Sequence, residues 1–122
     1  MLSKRAIGAR YEALAAQYLC ARGCRLITKN FLARGGEIDL ILLEQETIVF
    51  VEVKYRTSSD FGHPSELVTF HKQKKVIKTA QRFLQKNPKY ALLDARFDVI
   101  SVLSIKPENE PNFEWVRGAF TT

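Results

Sequence analysis

Two apolar runs that lie close together in the sequence restrict the fold most strongly. GEIDLILL at 36–43 and TIVFVEVKY at 47–55 are rich in aliphatic residues, and the polar residues 44–47 lie at their junction. Apolar runs joined by a short polar segment predict two antiparallel strands in a hairpin. The second run has valine at alternate positions, so one face of its strand is predicted to lie in the core.

Charged residues interrupt both of these predicted strands. A turn centred on residues 45–46 would place Asp39 directly opposite Glu52, with their Cβ atoms about 4.5–5.5 Å apart on one face. Like charges in this position destabilise a sheet unless a cation lies between them, and a divalent ion would supply that charge. Lys54 follows Glu52 by two residues and is expected on the same face. The alternative is a surface ion pair between Glu52 and Lys54, with Asp39 as a polar residue at a strand end.

The other elements complete a single domain of 122 residues, a length that suffices for one hydrophobic core. The predicted order is α-β-β-β-α-β-β, which indicates an α/β fold with a mixed central sheet flanked by helices. Along residues 1–122 we expect a helix from Ser3 to about Arg22, a short strand at 24–29, a loop at 30–35, the hairpin, a loop at 56–66, a helix from about Thr69 to Lys86, a strand at 95–103, a linker at 106–111 and an edge strand within 113–120.

The composition of the chain limits the cellular location and the classes of partner that we expect. No stretch approaches the apolar length of a membrane span and the N-terminus lacks a secretory signal, so we expect a cytoplasmic protein with no membrane partner. Cys20 and Cys24 are then expected to be thiols. The net charge of +6 favours a polyanionic partner such as nucleic acid.

The second helix offers further candidate residues. Gln73 lies within its apolar stripe near the helix start, where its amide could orient a water or a phosphate, or simply occupy a partly exposed helix end. Lys72 and Lys75 belong to a basic arc that would suit a phosphate backbone. Arg34 and Arg56 are candidate phosphate contacts, with surface solubility as the alternative role.

Taken together, the motifs G-E-I-D-L-I and F-V-E-V-K-Y-R, with an upstream G-A-R-Y-E, resemble the YraN family of predicted nucleases. Residues 39 and 52–54 match the D…ExK core of restriction-endonuclease-like proteins, the PD-(D/E)xK superfamily. The resemblance covers nearly the whole chain, including Gly8, Glu12, Asn30, residues 72–73 and residues 96–99.

This resemblance implies a restriction-endonuclease-like fold related to archaeal Holliday junction resolvases. It implies that Glu12 joins Asp39 and Glu52 as a metal ligand. Lys54 would position the attacking water or stabilise the pentacovalent phosphate, and Gln73 matches a glutamine found in such nucleases. Oxygen ligands of this kind suit Mg²⁺ or Mn²⁺.

The expected function is therefore metal-dependent hydrolysis of phosphodiester bonds in DNA, with branched or damaged duplexes among the substrates. A junction resolvase would need two sites and hence a homodimer. The first alternative is a non-catalytic nucleic-acid-binding module that keeps the nuclease fold, and the second is a small interaction protein that docks through its sheet edge or its C-terminal segment. Asp98 also lies in an apolar strand, where we favour a structural hydrogen bond over a place in the active site.

Overall fold

A computed structural model describes residues 3–56, 68–104 and 110–122. The elements follow the predicted order, with a short 3-10 turn added at Pro88–Tyr90. The expected loop at 56–66 and the expected linker at 106–111 fall mostly outside the described residues. The bounds are α1 Lys4–Ala21, β1 Cys24–Ala33, β2 Gly36–Glu44, β3 Thr47–Arg56, α2 Phe70–Lys86, β4 Asp94–Leu103 and β5 Asn112–Phe120.

The five strands form one mixed sheet in the order β1-β2-β3-β4-β5. β3 and β4 are parallel and the other neighbouring pairs are antiparallel. α2 lies between β3 and β4 in the chain, as a crossover between parallel strands requires. Each helix packs on its own face of the sheet, because two separate apolar clusters form, one with residues of α1 and one with residues of α2. The predicted α/β class with a mixed sheet between two helices is confirmed.

Both helices begin and end where the sequence predicts. Ser3 caps α1, since its hydroxyl accepts from Ala6 N at 3.1 Å, and Thr69 caps α2 by accepting from Lys72 N at 3.2 Å. Gly23 follows α1 with φ +99°, a left-handed conformation that a glycine adopts without strain. Neither helix in the described part of the chain combines the length and the apolar character of a membrane crossing.

β1 is longer than expected. We predicted a strand at 24–29 followed by a loop at 30–35, but pairing with β2 continues to Ala33, and the connection shrinks to Arg34 and Gly35. The polar residues that suggested a loop remain in the strand because β1 lies at the edge of the sheet, where polar side chains can reach water. Asn30 keeps its place in the strand with φ +52°.

The predicted hairpin register is correct for the pairs that the two strands form. Ile41 lies opposite Phe50 and Leu43 lies opposite Ile48. The backbone pairing ends at Leu40 and Val51, one step before the expected pair of acids. β2 therefore stops pairing with β3 at the level of the charged residues, while it stays paired with β1 on its other side.

At this same level, the side chains of β2 change the face of the sheet toward which they point. Ile38 belongs to the apolar cluster on the α2 side and Leu40 to the cluster on the α1 side. Residues two apart in a regular strand share a face, so the chain turns over at Asp39. In β1, Asn30 lies between the two residues that pair with Leu40 and Ile38 of β2. Its backbone has the left-handed conformation. Both strands thus reverse their facing together, and Asp39 lies at the point of reversal.

Asp98 is fully buried and structural, as the sequence favoured. Its carboxylate accepts from Arg96 Nε at 2.9 Å, from Trp115 Nε1 at 2.8 Å and from Gly118 N at 2.9 Å. Arg96 also donates to Glu44 Oε1 at 2.8 Å. The charge of Asp98 is therefore balanced within the sheet, and its contacts join β4 to β5.

We predict that Asp98→Ala lowers the free energy of unfolding by about 3 kcal/mol, because the change removes one partner of a buried ion pair and leaves the Trp115 and Gly118 donors unsatisfied. Urea denaturation followed by circular dichroism measures this loss. Asp94→Ala, an exposed acid at the start of the same strand, is the matched control and should change stability by no more than about 0.5 kcal/mol. Equal losses in the two variants would contradict a structural role specific to Asp98.

Candidate active site

The carboxylates of Asp39 and Glu52 each accept a hydrogen bond across the gap between β2 and β3. Asp39 Oδ2 accepts from Val53 N at 2.8 Å, and Glu52 Oε2 accepts from Asp39 N at 3.3 Å. Each carboxylate thus satisfies a backbone N–H on the opposite strand at the level where the backbone pairing has ended. The predicted proximity of the two acids is confirmed, although side chains and not a backbone pair bring them together.

Burial and the charges of neighbouring acids raise the pKa values of both groups. Only 2% of Glu52 is exposed, and burial followed by the charge of Asp39 raises the pKa of Glu52 to about 7. Burial also raises the pKa of Asp39, against the hydrogen bond from Val53. A pair of buried carboxylates with raised pKa values lacks sufficient positive charge around it.

Two lysines supply part of that charge. Lys72 Nζ, in the first turn of α2, lies 3.6 Å from Glu52 Oε1, and 41% of the Lys72 side chain is exposed. Lys54 also lowers the pKa of both acids through its charge, as expected for a residue on the same face and at the same end of β3. Our prediction for Lys72 was a phosphate contact, whereas its observed partner is the carboxylate of Glu52.

Glu12 approaches this site from α1. Its pKa is raised by burial and then by the charge of Asp39, while the Asn30 amide favours its ionised form. Glu37 is a further acid whose charge raises the pKa of both Glu12 and Asp39. Glu12, Asn30 and Glu37 line a polar cavity of about 380 Å³. The charge of Asp39 therefore interacts with two further acids, Glu12 and Glu37.

The three predicted metal ligands are not gathered into one tight group. Over residues 3–56, 68–104 and 110–122, no three His, Cys, Asp or Glu side chains come close enough to hold a metal ion. Asp39 and Glu52 form a pair, and Glu12 interacts with Asp39 through charge from another element. The donor set still consists of carboxylate oxygens, which Mg²⁺ and Mn²⁺ prefer.

Gln73 lies beside the site but its amide group is engaged. Gln73 Nε2 donates to the carbonyl of Val68 at 3.0 Å, which ties the first turn of α2 to the segment before it. Of the two roles that the sequence left open, this contact favours a helix-end role.

The predicted phosphate contacts lie in two places. Arg56 ends β3, about 13 Å along the strand from Glu52, and lines a cavity of about 260 Å³ with residues of β4 and β5. Arg34 and Lys75 line a different cavity of about 380 Å³, between the β1–β2 turn and α2. The structure thus separates Arg56 from Arg34 and Lys75.

Sequence reasoning missed three contributions to this site. The backbone N–H of Val53 carries no side-chain signal at all. Glu37 precedes Asp39 by two residues and its charge raises the pKa of Asp39, yet the motif match did not single it out. The influence of Asn30 on Glu12 arises from the extension of β1, which the sequence suggested was a loop.

These features define a class of protein: an α/β domain whose mixed sheet opens beside a buried pair of acids flanked by lysines. The family model described as "Uncharacterised protein family UPF0102" matches residues 11–102, and the chain belongs to that family. The matched range contains Glu12, Asp39, Glu52 and Lys54.

Curated relatives match over nearly the full length of the chain. A UPF0102 protein of Vibrio parahaemolyticus is 45% identical over 121 residues, covering 99% of this chain and 97% of the relative. A UPF0102 protein of Vibrio vulnificus is 46% identical over 122 residues with the same coverage. One from Stutzerimonas stutzeri is 41% identical over 120 residues and covers 98% of each chain.

We predict that the metal-free protein loses stability as the pH rises from about 4.5 to about 7. Glu52 keeps its proton up to a pH of about 7 in the folded state, whereas an unfolded glutamate loses its proton near 4.3. Between these values unfolding releases a proton, so a higher pH favours the unfolded state. Glu52→Gln should reduce this decline and raise stability at pH 8, as measured by urea denaturation in EDTA. The part that remains comes from Asp39 and Glu12, whose pKa values burial also raises.

Glu46→Gln is the control, because Glu46 is an exposed acid at the hairpin turn. This variant should keep the pH dependence of the wild-type protein. A Glu52→Gln protein that loses as much stability as the wild type over this pH range would show that Glu52 is not a source of the decline.

Proposed function

We propose that this chain is a metal-dependent endonuclease that hydrolyses phosphodiester bonds of DNA. One observation carries the proposal: the carboxylates of Asp39 and Glu52 each accept a backbone N–H across the same opening in the sheet, and burial raises the pKa of both despite the nearby lysines. Natural proteins avoid adjacent buried acids unless a cation or a proton joins them. The simplest explanation of this pair is that the two acids bind a cation in order to act.

The residues present fit a hard divalent ion. Asp39 and Glu52 would hold Mg²⁺ or Mn²⁺ through their carboxylate oxygens, and Glu12 would join them directly or through water. When bound, such an ion lowers the pKa of a coordinated water and withdraws charge from the scissile phosphate. The ion would also replace the charge that Lys72 supplies to Glu52 from 3.6 Å.

The lysines and the first turn of α2 would bind and stabilise the scissile phosphate. Lys54 lies on the face of the two acids, where its ammonium could stabilise the negative charge that develops at the phosphate or orient the attacking water. Lys72 is partly exposed and could turn from Glu52 to the phosphate. The N-terminal end of α2 also favours an anion nearby. The Gln73 amide would have to leave the Val68 carbonyl before it could contribute.

We propose duplex DNA, including branched or damaged duplexes, as the substrate. Cleavage of two opposed strands of a four-way junction would require two such sites and therefore a homodimer of this chain. The net charge of +6 supports a polyanionic substrate.

A second candidate function is nucleic-acid binding without cleavage, in a module that keeps the nuclease fold. The cavity between the β1–β2 turn and α2 favours it, because this cavity is lined by basic residues and does not include the paired acids. Such a module would bind nucleic acid equally well in EDTA and in Mg²⁺. It would cut no DNA in either condition.

We predict that the purified protein cuts plasmid or four-way-junction DNA in the presence of Mg²⁺ or Mn²⁺ and not in EDTA. Asp39→Asn should lower the cleavage rate by at least about 100-fold, because the change removes a charged ligand from the metal site. Lys54→Ala should cause a loss of similar size, since it removes a charge that would act on the transition state. Rates are measured by gel electrophoresis over a time course, with single-stranded DNA as a third substrate.

Glu46→Gln is again the matched control, because it removes one exposed carboxylate far from the paired acids along the hairpin. It should cut at the wild-type rate. Cleavage by Asp39→Asn at the wild-type rate would assign the activity to a contaminant or to another site. Absence of cleavage of all three substrates, with binding that is unaffected by EDTA, would favour the binding module.

A further inference from the structure

The outer face of α2 is basic along its whole length. The helix carries lysine or arginine at positions 72, 74, 75, 78, 82 and 86 and contains no aspartate or glutamate. Lys74, Lys78 and Arg82 follow one another at intervals of four residues, a spacing at which like charges destabilise a helix. Its opposite face is apolar and buried through Val76, Ala80 and Phe83. The basic face is therefore not explained by the stability of the helix.

The β1–β2 turn extends this basic face into a groove. Arg34 lines it on the side of the turn, and six residues of α2 line it on the other, over a volume of about 380 Å³. Gly36 permits the close approach of the two elements, since a Cβ atom at this position would collide with Thr79 Oγ1. The helical residues that line the groove are His71, Lys74, Lys75, Lys78, Thr79 and Arg82.

The cations of the groove are not neutralised by acids within the described residues. Ion pairs in this part of the chain involve Lys72, Arg96 and Arg117, and none involves Arg34, Lys75, Lys78 or Arg82. Lys74 contacts the ring of Phe70 at 4.6 Å but has no acidic partner there. Several positive charges thus face the same groove and are balanced only by solvent. Such a groove suits an anion with several charges.

The groove and the candidate active site share the helix α2. Lys72 lies one helical turn from Lys75 and reaches Glu52 at 3.6 Å, so one helix presents cations to both places. Residues 71–82 extend about 17 Å along the helix axis. This length matches about five base-pair steps at 3.4 Å each.

We propose that this groove binds the phosphate backbone of duplex DNA and holds the duplex beside the paired acids. The choice of DNA rests on the proposed nuclease function, whereas binding in the groove does not require cleavage. The lining consists of cationic side chains, a glycine and a threonine, with His71 as its one ring among the described residues. Such a surface contacts phosphates and gives no platform for stacking successive bases, so binding is independent of sequence and favours a duplex over a single strand.

The test is a comparison of two triple variants that lose the same charge. The groove variant carries Lys75→Gln, Lys78→Gln and Arg82→Gln, and the control carries Lys4→Gln, Arg10→Gln and Arg25→Gln, all at exposed positions. Binding to a fluorescent duplex of mixed sequence is measured by anisotropy in EDTA between 50 and 200 mM salt. EDTA separates binding from cleavage.

The groove variant should bind at least tenfold more weakly, and the slope of log K against log salt should flatten by about 2.7, because each lost phosphate contact accounts for about 0.9 of that slope. Its thermal stability should equal or exceed that of the wild type, since repulsion along α2 is relieved. Weak binding without loss of stability distinguishes a lost contact from misfolding. The slope of the control variant should differ from the wild-type slope by no more than about 0.9, which is the contribution of one phosphate contact.

An equal loss of affinity in both variants would overturn the proposal, because binding would then follow net charge and not the groove. A preference for single-stranded DNA that disappears in Phe70→Ala would also overturn it in favour of stacking on this exposed ring. Failure of the nuclease proposal is recognised separately: the wild-type protein would cut nothing with Mg²⁺ or Mn²⁺, while the groove variant would still bind more weakly than the control.

Discussion

The candidate site depends on the hydrogen bonds that the carboxylates of Asp39 and Glu52 accept across the opening between β2 and β3. β2 stays paired with β1 but leaves β3 beyond Leu40, and an opening between strands would normally leave backbone groups unsatisfied. The two carboxylates accept from Asp39 N and Val53 N, so they stabilise the opening and are fixed by it. Burial raises the pKa of both acids, and the charge of a neighbouring acid raises each further: Glu37 acts on Asp39, and Asp39 acts on Glu52.

A comparison with Asp98 shows why a buried acid is not by itself a functional signal. Asp39 and Asp98 both interrupt apolar strands of the same sheet. Asp98 is surrounded by donors, namely Arg96, Trp115 and the backbone of Gly118, and its charge is balanced inside the protein. Asp39 instead lies next to another acid, with lysines in part exposed to solvent as its nearest positive charges. The first arrangement stabilises the sheet, whereas the second is the one on which the proposed metal site rests.

α2 connects the two properties that the proposed function needs. Its apolar stripe packs on the sheet, and this packing places Lys72 over Glu52 and the remaining cations along the β1–β2 turn. Gly36 allows the turn to come close enough to add Arg34 to the same groove. One helix thus supplies a counter-charge to the acids and a basic surface beside them, at the carboxyl end of β3, where ligands of parallel sheets commonly bind.

The order of the elements, the helix caps and the hairpin register could be predicted from the sequence, because each depends on local patterns: apolar periodicity, a Ser or Thr before a helix, and a polar turn between two strands. The same patterns sufficed to bring Asp39 near Glu52. They did not predict the length of β1, since the polar residues from Lys29 onward are tolerated there only because β1 is an edge strand. They also did not predict the local reversal at Asn30 and Asp39, the contact of Lys72 with Glu52 or the engagement of Gln73 by Val68. These features join residues that are far apart in the chain or depend on which strand lies at the edge, so only the tertiary structure decides them.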